Sequence, residues 1–105
     1  MNKFYDALET RSTQERDAAL MAALPGQVAH AQRHAPAFGQ ILAGVDAASV
    51  TTRAALARLP VTRKHELLER QSAEREQHLI GGFATQAYGA AMPRVFASPG
   101  PLYEP

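Results

Sequence analysis

The stretch S-T-Q-E-R-D-A-A-L-M-A-A-L-P-G-Q-V-A-H-A, Ser12 to Ala31, decides the fold class. Ser12-Thr13-Gln14-Glu15 has the form of a capping box, in which the serine hydroxyl accepts from a first-turn amide and the glutamate carboxylate reaches back to the cap. A helix is expected to start there. Leu20, Leu24, Val28 and Ala31 then recur at spacings of four, four and three, one apolar stripe along a helix. Glu15, Arg16, Asp17, Gln27, Gln32 and Arg33 lie mostly off it. Pro25 sits inside the pattern, removing an amide donor and crowding the preceding turn, so the sequence predicts either a kink near Ala23-Leu24 or a break with Pro25 opening a second helix.

Outward from this stretch the chain reads as a string of short helices. Ala35-Pro36 ends the first segment, because a residue before proline is pushed out of the helical region. Phe38, Ile41, Leu42 and Val45 follow at i, i+3, i+4 and i+7, with Gly44 suited to stop a short amphipathic helix. Thr51 is the expected N-cap of a two-turn helix from Arg53 to Leu59, ended by Pro60. Thr62 is the expected cap of another, from Arg63 to about Arg70, with Glu66 and Arg70 as an i,i+4 pair. Ser72 to Gln77 is charged and without periodicity, and Gly81-Gly82 breaks it. Gly82 to Tyr88 is at most a weak strand candidate. Arg94-Val95-Phe96-Ala97 is short and β-prone. It runs into Ser98-Pro99-Gly100-Pro101-Leu102-Tyr103-Glu104-Pro105, whose three prolines are expected to exclude a regular element. The expected fold is therefore mainly α: a lead-in (1–11), a short-helix segment (12–71), then an irregular segment (72–105) with one short β-strand and a Pro-rich loop. One incomplete domain is expected.

Composition sets limits on function. The chain has 105 residues, and 21 of them are alanine, so its apolar fraction of 46% overstates the large side chains available for a core. A thin core makes dependence on a partner surface reasonable, since stability runs at only about 0.05–0.15 kcal/mol per residue. Eleven basic and ten acidic side chains of mixed order leave a net charge of +1, which argues against sequence-independent attraction to nucleic acid or anionic membrane. There is no cysteine, hence no disulfide framework, thiolate metal site or thiol nucleophile. The first nine residues carry charges where a signal peptide needs an apolar run, and no later stretch approaches about 18 apolar residues. The expectation is a cytoplasmic protein with neither membrane nor nucleic acid as partner.

Few residues invite a chemical reading. His30 and His34, four apart, would share a helix face and could bind zinc, but Ala31 stands where a zinc protease carries glutamate and no third ligand is placed by spacing. Solvent-edge histidines are the simpler reading, and no metal site is assigned. Asp17, Glu66, Glu69, Glu74 and Glu76 lie among basic neighbours and read as solubilising charges, and no serine has a G-x-S-x-G setting. Arg53, Arg58, Arg63, Lys64, Arg70 and Arg75 could line an anion-binding face, but acidic residues interrupt them. The stripe through Leu20, Leu24 and Val28 is the candidate interaction face, for the remainder of a larger chain or for a homo-oligomer.

Two stretches carry a resemblance. Leu59-Pro60-Val61-Thr62-Arg63-Lys64-His65-Glu66-Leu67 resembles the L-P-x-T-x-K-x-x-L segment near the N-terminus of phenylacetate-CoA ligases and related adenylate-forming acyl-CoA ligases. His34-Ala35-Pro36-Ala37-Phe38 resembles that family's H-x-P-x-Y/F, and with Gly44-Val45-Asp46 the order matches over about residues 12 to 105. The resemblance implies that Val95-Phe96-Ala97 is the strand leading into the family's phosphate-gripping loop, S-S-G-T-T-G-x-P. Ser98 and Gly100 match its first serine and first glycine and Pro105 its closing proline, whereas Pro99, Pro101, Leu102, Tyr103 and Glu104 depart from it. Two prolines delete amide donors, both threonine hydroxyls are missing, and Glu104 adds negative charge, so a weak grip on triphosphate is expected. The resemblance further implies that the chain is a fragment of a larger α/β enzyme, and that ATP, magnesium and coenzyme A serve a full-length relative whose acyl pocket, adenine site and lid lie beyond residue 105. The chain alone is expected to be inactive. A stand-alone helical interaction or dimerisation module without catalysis is the alternative.

Overall fold

A computed structural model describes residues 3–105. After a 3-10 helix at Ala7–Thr10, four α-helices follow: α1 (Thr13–His34), α2 (Pro36–Ile41), α3 (Arg53–Ala57) and α4 (Lys64–Glu74). A 3-10 helix at Ala47–Ser49 separates α2 from α3, and two strands, β1 (Phe96–Ser98) and β2 (Leu102–Glu104), close the sequence. About half of the chain is helical, and the only sheet among the described residues is this antiparallel hairpin.

The start of α1 is set by its cap. Ser12 Oγ accepts from the Glu15 amide at 3.2 Å, and Glu15 Oε2 accepts from both the amide and the hydroxyl of Ser12 at 2.8 Å. These donors hold the Glu15 carboxyl below the usual carboxylate range, the serine hydroxyl contributing most. The helix then runs unbroken through Pro25 for 22 residues, so a second helix opening at Pro25 is excluded. The missing donor costs up to about 3 kcal/mol in a helix interior. Apolar side chains on both sides of the proline, Leu24 before it and Val28 and Ala31 after it, pack into the same cluster and hold the axis together.

α2 ends at Ile41, earlier than its pattern to Val45 suggests; the chain then turns, with Val45 donating to the Leu42 carbonyl at 3.0 Å and Gly44 at φ +82°, a left-handed conformation that glycine takes without a Cβ penalty. Two expected caps move by one residue. Thr52, not Thr51, caps α3, its hydroxyl accepting from the Ala55 amide at 3.1 Å. At α4 the cap is Arg63 rather than Thr62; arginine has no acceptor, and Glu66 supplies the bond by accepting from the Arg63 amide at 3.0 Å. Glu66 is thereby committed, and Arg70 pairs with Glu74 at 3.4 Å instead of with Glu66. α4 also extends to Glu74, beyond the expected end near Arg70.

Val28, Leu42, Val50 and Ala55 form the buried core of the first half, with Leu24, Ala31, Phe38, Ile41, Val45, Ala47 and Leu59 packed around them. Gln32 fastens the α2 exit to α1 by donating to the carbonyls of Leu42 (3.0 Å) and Val45 (2.9 Å). The second half is built on α4, the turn at 80–83 and the hairpin. Gly81 and Gly82 have φ of +67° and +78°, and both are hemmed in: a Cβ on Gly81 would meet the Gln71 side chain at 2.9 Å, one on Gly82 the Ala37 amide at 3.2 Å. That close approach lets the Gly82 carbonyl accept from Ala37 at 2.9 Å and joins the two halves.

The C-terminal segment is corrected in one respect. Leu102–Glu104 is a strand, paired with β1 in the register Phe96↔Glu104, Ala97↔Tyr103, Ser98↔Leu102. The prolines do not prevent it because Pro99 and Pro101 sit in the turn and Pro105 follows the last pair, where no ladder donor is needed. β1 therefore begins at Phe96, two residues later than expected, and finds its neighbour eight residues downstream; the Gly82 to Tyr88 stretch forms no strand.

The whole is open. Its accessible surface is 7813 Å², whereas a compact monomer of 11.3 kDa exposes about 5,700 Å². The radius of gyration, 16.6 Å, likewise exceeds the roughly 13 Å of a compact domain this long. No large side chain is fully enclosed among the described residues.

Candidate functional site

The L-P-V-T-R-K segment and the turn that stands where the family's phosphate loop is expected meet in space. Lys64 opens α4, a position where the helix dipole disfavours a cation, and its ammonium instead donates to the Pro99 carbonyl at 2.6 Å. Gly100, at φ +123°, lies over the same side chain: a Cβ there would stand 3.4 Å from both Lys64 Cε and Nζ. Ser98, the other candidate phosphate-loop residue, ends β1 with its hydroxyl donating to the Leu102 carbonyl at 3.4 Å.

Gln71 holds the hairpin in this position. It is the one buried polar side chain among the described residues, lying in the middle of α4. Its Nε2 donates to the carbonyls of Tyr103 (2.9 Å) and Ile80 (3.1 Å), and its Oε1 accepts from the Tyr103 amide at 2.9 Å. The primary amide thus stands in for a third strand on the outer edge of β2, satisfying both backbone groups of Tyr103. The preceding residue, Arg70, grips the adjoining loop, donating to the Gly81 carbonyl (3.2 Å) and to Gln40 Oε1 (2.6 Å), with its guanidinium 5.8 Å from the Phe83 ring centroid.

The geometry does not fit a phosphate grip. Such a loop turns amides and hydroxyls toward the ligand. Here Pro99 and Pro101 have no amide hydrogen, the Ser98 hydroxyl is spent within the hairpin, and the group facing Lys64 is a carbonyl oxygen. Glu104 is exposed on β2.

Among the described residues several of the remaining charged groups are spent on caps and pairs. Asp6 and Asp46 cap the two 3-10 helices, Glu66 caps α4, Glu74 meets Arg70, and Asp17 pairs with Arg53. The basic residues are dispersed on separate partners rather than gathered on one face: Arg53 on Asp17, Lys64 on Pro99, Arg70 on Gln40 and Gly81. His30 and His34 face each other with ring centroids 4.7 Å apart, and no group of three or more candidate metal ligands occurs among the described residues. A cleft of about 470 Å³ lies between Ile41, Glu66, Arg70 and Phe83, and two smaller ones are also open. One, of about 290 Å³, is lined by His34, His78, Tyr88 and Gln77; the other, of about 210 Å³, is apolar, between Phe38, Leu67, Ile80, Phe83 and Leu102.

The candidate interaction stripe is divided along α1. Val28 is 5% exposed and Leu24 packs against the same cluster, so both serve the chain's own core, while Leu20 is 53% exposed. Leu56 on α3, 40% exposed, joins it as an outward leucine. Neither Leu56 nor Gln71 stands out in the sequence: Leu56 lies on a helix of five residues, too short to define a face, and the role of Gln71 depends on a strand that arrives 32 residues later. No family model, curated protein or solved structure matches this chain.

Proposed function

We propose that this chain is the N-terminal helical portion of a phenylacetate-CoA-ligase-like, ATP-dependent, AMP-forming acyl-CoA ligase, a packing module that is inactive by itself. The observation that carries the reading is the contact of Lys64 with Pro99, which joins the lysine of L-P-V-T-R-K to the turn beginning at Ser98. The L-P-V-T-R-K segment and the hairpin in the place of the family's phosphate loop, some 30 residues apart, thus meet in one structural unit, with Gln71 as its clamp. The open shape supports a packing role: a chain with this much surface has apolar area left for a larger body to cover.

Inactivity follows from the same geometry. Adenylation requires a triphosphate grip, an acyl pocket and a catalytic lid, and the 98–105 hairpin offers carbonyls and a carboxylate where the grip needs donors. Purified chain supplied with ATP, magnesium, coenzyme A and phenylacetate or another aryl acid is expected to release no AMP above the protein-free rate. Acid-dependent and CoA-dependent turnover by the chain alone would overturn this reading.

A further inference from the structure

We propose that His30 and His34 chelate a divalent transition-metal ion, copper(II) most tightly, on the last two turns of α1. The two residues stand four apart near the end of a regular helix, so both imidazoles project from one face. Their rings are close enough to share an ion, with centroids 4.7 Å apart and planes tilted by 48°. Two nitrogens bound to one ion at about 2.0–2.1 Å stand roughly 3 Å from each other, and ring nitrogens lie about 1 Å off their centroids. A small rotation of the rings reaches that spacing. Both side chains are exposed, which leaves them room to turn.

Position and donor type select the ion. The free carbonyls at a helix C-terminus give that end partial negative charge, so a cation held by the last turns gains from the α1 dipole. Arg33 lies beside the pair and is exposed, where solvent screens its charge. Two imidazole nitrogens in a chain without cysteine suit copper(II), nickel(II) and zinc(II), and copper(II) stands highest in affinity among the first-row divalent ions. Magnesium wants oxygen donors and gains nothing here, so the site is independent of the ligase reading. Two protein ligands leave coordination positions for water or a small donor. His34 also lines the cleft of about 290 Å³ with Gln77, His78 and Tyr88, so the ion stands at the edge of a space with room for such a donor. His78 borders that cleft without joining the chelate, since no group of three candidate ligands forms among the described residues.

The test is the binding of copper(II) alone to the purified chain, followed by calorimetry and electron paramagnetic resonance, with helix content and melting temperature measured for each variant. One equivalent is expected to bind, with nitrogen hyperfine splitting from imidazole. The melting temperature is expected to rise, because the folded helix holds the two rings together and the unfolded chain does not. His30→Ala and His34→Ala are each expected to weaken binding by at least about tenfold and to remove that rise. His65→Ala and His78→Ala are expected to keep the affinity within about twofold of the wild-type chain. His30 and His34 are exposed, so their replacement spares the core. Absence of saturable binding overturns the proposal. So does binding that survives the loss of His30 or His34, or that falls as far on the loss of His65 or His78.

Discussion

Gln71 shows how one side chain can position an element that contributes no core of its own. A hairpin of three-residue strands is marginal in isolation, and this one is held from outside by two bonds to a single buried amide, whose third bond ties it to the Ile80 carbonyl. Gln71→Ala leaves the amide and carbonyl of Tyr103 and the Ile80 carbonyl without that partner. The expected loss is about 1–3 kcal/mol of stability, with faster hydrogen exchange at the Tyr103 amide. Exchange at Tyr103 unchanged by the substitution would show that the hairpin does not rely on the clamp. The Lys64 contact is of a different kind. It is exposed, and its importance lies in registering the turn against α4 more than in energy.

At the scale of elements, α1 sets a sequence rule against a packing rule, and packing wins. Pro25 breaks the ladder of intrahelical bonds, yet both halves of the helix carry residues committed to one core. Pro25→Ala restores a donor to the Met21 carbonyl and removes the ring's crowding of that turn. The expected result is a rise in stability of about 1–3 kcal/mol, read as a higher melting temperature. An unchanged or lower melting temperature would mean that the half-buried ring contributes packing that offsets the lost bond. The same comparison shows what was legible beforehand. Ser12 and Glu15 mark the start of α1 because capping is a local event that four residues specify. The i, i+3, i+4, i+7 pattern from Phe38 to Val45 identifies α2 for the same reason, although its last turn opens early. β2 was not legible. Its formation depends on where each proline falls relative to a ladder that exists only once β1 and Gln71 are in place. The division of the Leu20–Leu24–Val28 stripe was equally hidden, because periodicity identifies a face and not how far along the helix the core extends.

At the scale of the whole molecule, the main physical fact is surface. Two small halves, one around Val28, Leu42 and Val50 and the other around Gln71 and Leu102, are joined through Gly81 and Gly82 and leave Leu20, Leu56, Val61, Tyr88 and Phe96 exposed. A chain so built has few apolar contacts to set against its conformational entropy, and covering those residues stabilises it. The ligase reading assigns that covering to a large nucleotide-binding domain. Among the described residues no helix is long and apolar enough to cross a membrane. The central claim, that the chain is the helical portion of a larger acyl-CoA ligase, is tested most directly by the intact mass of the native gene product read beside its downstream reading frame. The expected result is a protein several hundred residues longer that continues into a nucleotide-binding domain and a lid. A native product that ends at Pro105 would contradict the claim.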